Sequence, residues 1–421
     1  MRTVIDLFRT GHSFFSPDRS PKRTWLRRAG GIAALCVLFC LSVQCGEKTE
    51  GKASIPWSVR AVESLMRYCP DSVAYPGVAK SNRWDYERGV VLQGVWQVYN
   101  ATGEKKYFSY LKKNIDQFVE ENGSIKTYDY NTFNIDNIAT GRNLLALYAK
   151  TGGKKYKIAA DTLRKQLAHQ PRTLEGGFWH KKIYPFQMWL DGLYMGEPFY
   201  AEYAKMFNEP ADYKDIVNQF IFIERHTRDP KTGLLYHAWD ESKQMPWADK
   251  QTGRSPHFWG RAIGWYAWAI VDVLEYLPRD HPGRKELIAI LNRLSAALLK
   301  VREPHSKLWY QVLDQGKRAG NYLESSGSSM FVYAFAKGAK KGYLDKKYLT
   351  AARESFKGIL DSMVTVDNQG IVNLHHACQG AGLGGNPYRD GSYEYYIGEK
   401  QRTNDFKAVG PFILAALELK Q

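Results

Sequence analysis

Tyr99-Asn-Ala-Thr-Gly-Glu-Lys-Lys-Tyr107 and Tyr148-Ala-Lys-Thr-Gly-Gly-Lys-Lys-Tyr156 are nearly the same nine residues, 49 positions apart. In each, a glycine separates two amphipathic stretches, the pattern of one helix stopping and a second starting at once. Looser echoes run from Phe207 to Tyr213 and from Ala336 to Tyr348. A repeat of this length belongs to arrays of helical hairpins. Working outward, apolar residues at helical spacing predict twelve helices, over 56–68, 84–101, 104–121, 134–151, 155–169, 188–207, 211–227, 258–277, 284–301, 323–338, 346–361 and 403–419. Strand-like alternation is short, predicting β-hairpins only at 233–247 and 366–376. Twelve helices in six hairpins predict an all-α chain closed into an (α/α)6 barrel, with an open superhelix as the alternative that periodicity leaves.

The connections fall into two classes. Short ones lie within hairpins; long ones span 70–83, 122–133, 170–187, 228–257, 302–322 and 362–402. In a ring the long ones emerge at one end, and long loops on a rigid scaffold commonly carry function. These loops and the helix starts beside them hold Trp84-Asp85, Asn134-Ile-Asp136-Asn137, His180, His237-Ala-Trp239-Asp240, His257-Phe-Trp259 and the glycine-rich 380–398. That concentration predicts a pocket on one rim.

Composition narrows the pocket's partner. Aromatic residues make up 14% of the 421, with 12 Trp and 27 Tyr, and flat half-polar rings suit saccharide stacking. Residues through Arg28 supply +5 of the formal charge of +16, and the remaining +11 is spread along the chain without a dense cluster, which argues against nucleic acid and suits an acidic sugar. Beyond residue 45, Cys69 and Cys378 have no metal-type spacing, so zinc chemistry is not expected.

Residues 1–45 are read as an export signal: basic residues through Arg28, then an apolar run from Ala29 to Val43, too short for a spanning helix. Leu41-Ser-Val-Gln-Cys45 is similar to a bacterial lipoprotein box, which would lipidate Cys45. The expectation is a periplasmic or outer-membrane-anchored lipoprotein, with simple secretion as the alternative because Gln44 stands where a small residue is usual. Residues 46–54 then form a linker, and 55–421 the barrel.

Within the pocket-forming stretches, Asp191 stands among Met188, Trp189, Leu190, Leu193, Tyr194 and Met195, where a charge is costly unless paired or neutralised. Apolar surroundings suit a general acid; the plainer reading is a helix N-cap. Asp136 admits the same two readings, and across a ring the two carboxylates would face one central cavity. Arg261 is one helical turn before Trp265, predicting either a surface cation–π pair or a carboxylate clamp with a stacking ring.

Asn134-Ile-Asp136, Gln187-Met-Trp-Leu-Asp-Gly-Leu-Tyr-Met195, Trp259-Gly-Arg-Ala-Ile-Gly-Trp265, Ser325-Ser-Gly-Ser-Ser-Met330, Tyr393-Glu-Tyr-Tyr396 and Asn404-Asp405 together resemble glycoside hydrolase family 105, the unsaturated rhamnogalacturonyl hydrolases. The resemblance covers about 55–420 and implies the same barrel, with no metal or organic cofactor. It implies a substrate with a non-reducing 4,5-unsaturated uronate left by a polysaccharide lyase, cleaved through hydration of the enol ether. By this resemblance Asp191 is the general acid and then base, and Asp136 binds the sugar and tunes Asp191. His180, Gln187, Trp189, His237, Arg261 and Trp265 would line the unsaturated-sugar subsite. Unsaturated rhamnogalacturonan disaccharides from pectin are the expected substrate. The alternatives are ulvan or glycosaminoglycan fragments, the latter as in family 88, or a lipid-anchored glycan binder without turnover.

Overall fold

The computed structural model describes residues 55–421. The expected export signal, the expected lipidation site Cys45 and the expected linker at 46–54 lie outside the described residues. All twelve segments form helices: α1 Trp57–Tyr68, α2 Tyr86–Thr102, α3 Lys105–Asp116, α4 Gly141–Thr151, α5 Lys154–His169, α6 Leu190–Phe207, α7 Asp212–Thr227, α8 Gly260–Tyr276, α9 Gly283–Lys300, α10 Ser325–Lys340, α11 Lys347–Met363 and α13 Phe406–Leu419. A short helix that the periodicity does not show, α12 Tyr393–Gly398, sits in the last long connection.

Helices α2, α4, α6, α8, α10 and α13 each pack against the next, and α13 packs back against α2. That closed inner ring excludes the open superhelix. Helices α3, α5, α7, α9 and α11 lie outside, each on the inner helix that precedes it. The sixth outer helix is α1, which packs on α13, so the two ends of the described chain complete the last hairpin. Burial follows from position. Every residue of α8 from Gly260 to Leu274 is buried, as an inner helix requires, whereas α3 buries only one face.

The repeated nonapeptide works the same way twice. Gly103 and Gly152 end α2 and α4 in the left-handed region (φ 72° and 67°), where a side chain would be strained. Their N–H groups reach the carbonyls of Tyr99 and Tyr148, both at 2.8 Å. Tyr107 and Tyr156 then dive into the core and donate their hydroxyls to Glu63 (3.2 Å) and Asp116 (2.7 Å). Where inner helices meet, space is short. A Cβ on Gly89 would stand 2.7 Å from Thr140 Cα, and one on Gly410 2.8 Å from the Val90 carbonyl oxygen.

Three two-stranded ladders brace the long connections: β1 Gln187–Trp189 with β2 Ala238–Asp240, β3 Val364–Val366 with β4 Val372–Leu374, and β5 Ala377–Cys378 with β6 Gln401–Arg402. The β3–β4 hairpin fits the expectation at 366–376. The expected hairpin at 233–247 does not form, because β2 pairs with β1 some fifty residues earlier and Trp239 also bridges to Arg254. Alternation marks a strand but not its partner, and the fully buried Gln187–Trp189 supplies that partner. The six inner helices begin at the end where the long connections emerge, so their N-terminal dipoles converge on one rim.

Candidate active site

A cavity of about 680 Å³ opens at that rim. Asp136 and Asp191 both face it, together with Lys181, Tyr184, Trp189 and the start of α2. The last long connection closes one side through Gln379, Gly380, Arg389, Tyr395 and Glu399.

Asp191 is the second residue of α6, and the cap position belongs to Trp189, which offers no side-chain cap. The capping reading of Asp191 therefore fails. The β1–β2 ladder explains what it does instead. Leu190 N–H donates to the His237 carbonyl at 3.0 Å, which seats the His237 ring beneath the first turn of α6. His237 Nε2 stands 3.1 Å from Asp191 Oδ2, but too far out of line for a hydrogen bond, and neither atom has a hydrogen-bond partner among the described residues. That oxygen is sealed off, while the Asp191 side chain keeps 14% of its surface open.

Asp136 is no cap either. It lies in a 3₁₀ turn, Ile135–Ile138, capped by the Asn134 side chain. Its Oδ2 is 2.6 Å from Lys181 Nζ and its Oδ1 3.2 Å from His180 Nε2. Burial alone would raise this carboxyl, but the charges of Lys181 and His180 override it and hold it well below the usual carboxylate range. One wall of the cavity is thus a fixed anion.

Trp189 ties the two carboxylates together. His180 stacks on its indole with ring centres 4.6 Å apart, Tyr184 stacks at 4.9 Å, and His237 meets it edge-on at 5.5 Å. Gln187 is fully buried below, its Oε1 accepting from the Trp189 indole N–H at 3.1 Å. It orients the ring without reaching the cavity.

Of the six expected subsite residues, His180 and Trp189 border the cavity, Gln187 and His237 lie buried behind it, and two sit elsewhere. Arg261 is buried, its guanidinium lying 4.7 Å over Trp259 and bonded to the Cys378 carbonyl and the Ser326 hydroxyl (3.3 Å for the latter). Trp265 packs at 4.6 Å against Tyr194, within the ring of inner helices, and does not pair with Arg261. Neither borders the cavity. The spacing from Arg261 to Trp265 is right for one helix face, but that face points at α10 and α6 and is not on the surface.

Sequence reading also passed over residues that the structure brings in. Lys181 follows His180 directly, and its place in Trp-His-Lys-Lys was the available signal. Arg389 lies on the wall, donating to the Tyr184 hydroxyl at 2.9 Å and to the Leu383 and Gly384 carbonyls. It has no carboxylate partner among the described residues. Nor does the chain's positive charge gather here. The wall carries Asp85, Glu87, Asp129, Asp136, Asp191 and Glu399 against Arg83, Lys181 and Arg389. Glu87 is offset by Lys407 at 2.9 Å and Asp85 by Arg83 at 3.1 Å, and the helix N-termini favour anions as well.

A ring of helical hairpins with two carboxylates and stacking rings at one mouth is a saccharide-hydrolase design, and the comparisons agree. A family model described as Glycosyl Hydrolase Family 88 matches residues 57–421. The chain belongs to that family. Like its relatives, this family 88 chain is a glycoside hydrolase. A solved glycoside hydrolase from family 105 of C. acetobutylicum ATCC 824 is 47% identical with a TM-score of 0.84, covering 87% of this chain and 99% of that one. Unsaturated rhamnogalacturonyl hydrolase YesR of Bacillus subtilis strain 168 is 29% identical over 286 residues, 66% of this chain and 76% of YesR. The unsaturated glucuronyl hydrolase of Bacillus sp. GL1 shares the fold, with a TM-score of 0.65 at 14% identity over 86% of this chain and 95% of that one. The similarity to family 105 expected from the motifs is thus present alongside membership of family 88.

Proposed function

We propose that this enzyme releases the non-reducing 4,5-unsaturated uronate from lyase-generated oligosaccharides, with unsaturated rhamnogalacturonan disaccharides as its substrate. The observation that carries the reading is the inequality of the two carboxylates. Asp136 is locked as an anion by Lys181, whereas Asp191 has one oxygen against His237 and the rest of its carboxyl toward the cavity. A conventional glycosidase needs two carboxyl groups that both exchange protons or attack carbon. A single exchanging acid is enough for hydrating an enol ether.

Asp191 delivers its proton to C4, and positive charge develops at C5, shared with the ring oxygen. The Asp191 carboxylate then takes a proton from water as the water oxygen bonds to C5. The resulting hemiketal opens by breaking the bond between C5 and the ring oxygen. This leaves a C5 ketone and a C1 hemiacetal, which expels the aglycone as an alcohol. Asp136, an acceptor only, holds sugar hydroxyls and adds negative charge near the developing cation. Trp189 holds the His180 and Tyr184 rings in the wall, and Lys181 and Arg389 are the wall cations for the uronate carboxylate.

The choice of rhamnogalacturonan rests on the YesR similarity. The test is loss of the ultraviolet absorbance of the unsaturated uronate on lyase digests of rhamnogalacturonan, ulvan and chondroitin. Loss on the first alone is expected. Loss on another digest alone would move the substrate, and no loss on any would overturn the reaction. An exported, lipid-anchored enzyme at a bacterial surface fits such a substrate, and labelling of Cys45 by a fatty-acid probe in cells would test it.

A further inference from the structure

Behind Asp191, a chain of buried polar contacts leads away from the cavity into the last long connection. His237 is fully buried, between the rings of Trp259 (4.8 Å) and Trp189 (5.5 Å). Its Nδ1 is 2.8 Å from the hydroxyl of Tyr396, a fully buried residue of α12. This is the sole partner of that hydroxyl among the described residues. Tyr396 is itself fixed. Gln311 donates Nε2–H to its carbonyl at 3.0 Å and accepts the Trp259 indole N–H at 3.0 Å, while the Trp259 ring stacks on the phenol.

This geometry has one low-cost proton arrangement. A phenol buried with one neighbour must donate to it or leave its O–H unpaired, which is unfavourable in an apolar site. Donating to Nδ1 makes that nitrogen the acceptor and puts the ring's single proton on Nε2, which faces Asp191 Oδ2 at 3.1 Å. The contact is bent, as such contacts often are before substrate binds. Burial also keeps the phenol protonated, with Tyr395, Asp191 and Cys378 acting in the same direction and Arg389 against it.

We infer that Tyr396 is a positioning residue: it holds His237 as the neutral Nε2–H tautomer, so that Asp191 Oδ2 is an acceptor and the acid's proton sits on Oδ1, toward the sugar. The inference rests on Asp191 acting as the proposed acid. It adds that the segment lining one side of the cavity through Tyr395 also sets the acid's proton through the next residue.

Nitrogen-15 NMR of histidine-labelled protein reads the tautomer directly. The wild type should show His237 as Nε2–H, and Tyr396→Phe should mix the tautomers. On the unsaturated substrate, Y396F should lower kcat about tenfold, the worth of one lost hydrogen bond, with KM within about twofold and a shifted pH profile. His237→Gln removes the ring whose tautomer Tyr396 sets, so Y396F should cost nothing further in that background. A wild-type Nδ1–H tautomer, an unchanged tautomer in Y396F, or multiplicative losses in the double variant would each overturn the inference. The NMR result needs no turnover, so it stands or falls apart from the proposed reaction.

Discussion

Lys181 Nζ lies 2.6 Å from Asp136 Oδ2, and this pair decides which of the two cavity carboxylates can move a proton. Burial pushes Asp136 toward the neutral form; Lys181 and His180 reverse the balance. A carboxyl lowered in this way stays ionised across the working range. The stability it gives is full above the ordinary carboxylate range and is lost only as pH falls through its depressed value.

Removing the ammonium should therefore act on pH dependence before anything else. In Lys181→Met, burial is less opposed and Asp136 rises. The acid limb of kcat/KM should move to higher pH, with a loss of about tenfold or more near pH 5 and a smaller one near pH 8. Lys181→Arg, which keeps the charge, should shift the limb less. An unmoved acid limb in K181M would show that the charge state of Asp136 does not limit the reaction.

Asp191→Asn keeps the shape of the first turn of α6 and removes the exchangeable proton. Turnover should fall by about 10²–10⁴ while affinity for the unsaturated disaccharide, measured by calorimetry, stays within a few-fold. Asp136→Asn should weaken binding as well as turnover, since a fixed acceptor is lost there. Full turnover in D191N would remove Asp191 from its role.

Glu197 gives a prediction about stability alone. It is buried in α6, and one of its carboxyl oxygens has no hydrogen-bond partner among the described residues. Burial and the nearby Asp215 push its carboxyl well above the ordinary range, with Arg172 opposing. Below that range both folded and unfolded chains hold the proton, and nothing is lost. As pH rises, the unfolded chain ionises first and the folded state is penalised. Glu197→Gln should match the wild type in Tm near pH 4 and exceed it at pH 8, by about 2 °C for each 1 kcal/mol relieved. A gain that is equal at both pH values would mean the effect is packing and not protonation.

The fold was readable because the hairpin repeat is local: the glycine turn, the threonine before it and the tyrosine after it act within about ten residues. The site was readable only in part, for reasons that differ by residue. Asp191 and Asp136 stand out because a carboxylate among apolar neighbours is conspicuous. Whether such a residue caps a helix depends on one backbone position, and here Trp189 and Asn134 take it. His237 meets Asp191 only through the β1–β2 ladder, and Tyr396 reaches His237 across 159 residues. No local pattern carries either pairing.

Arg261 and Arg389 put the same lesson into one experiment. The spacing around Arg261 allows a surface cation–π pair or a carboxylate clamp, yet its guanidinium is enclosed by Trp259, the Cys378 carbonyl and Ser326. Arg389, in a glycine-rich loop with no motif of its own, stands on the cavity wall. If Arg389 holds the uronate carboxylate, Arg389→Met should raise KM about tenfold or more with kcat little changed, the mark of binding shared by ground and transition states. Arg261→Met should lower Tm by several degrees, because the Cys378 carbonyl and Ser326 lose a charged donor inside the core. Any loss of activity in R261M should then follow the fraction folded. If instead R261M raises KM in fully folded protein while R389M does not, substrate binding must open the core around Trp259, and the clamp belongs to Arg261 after all.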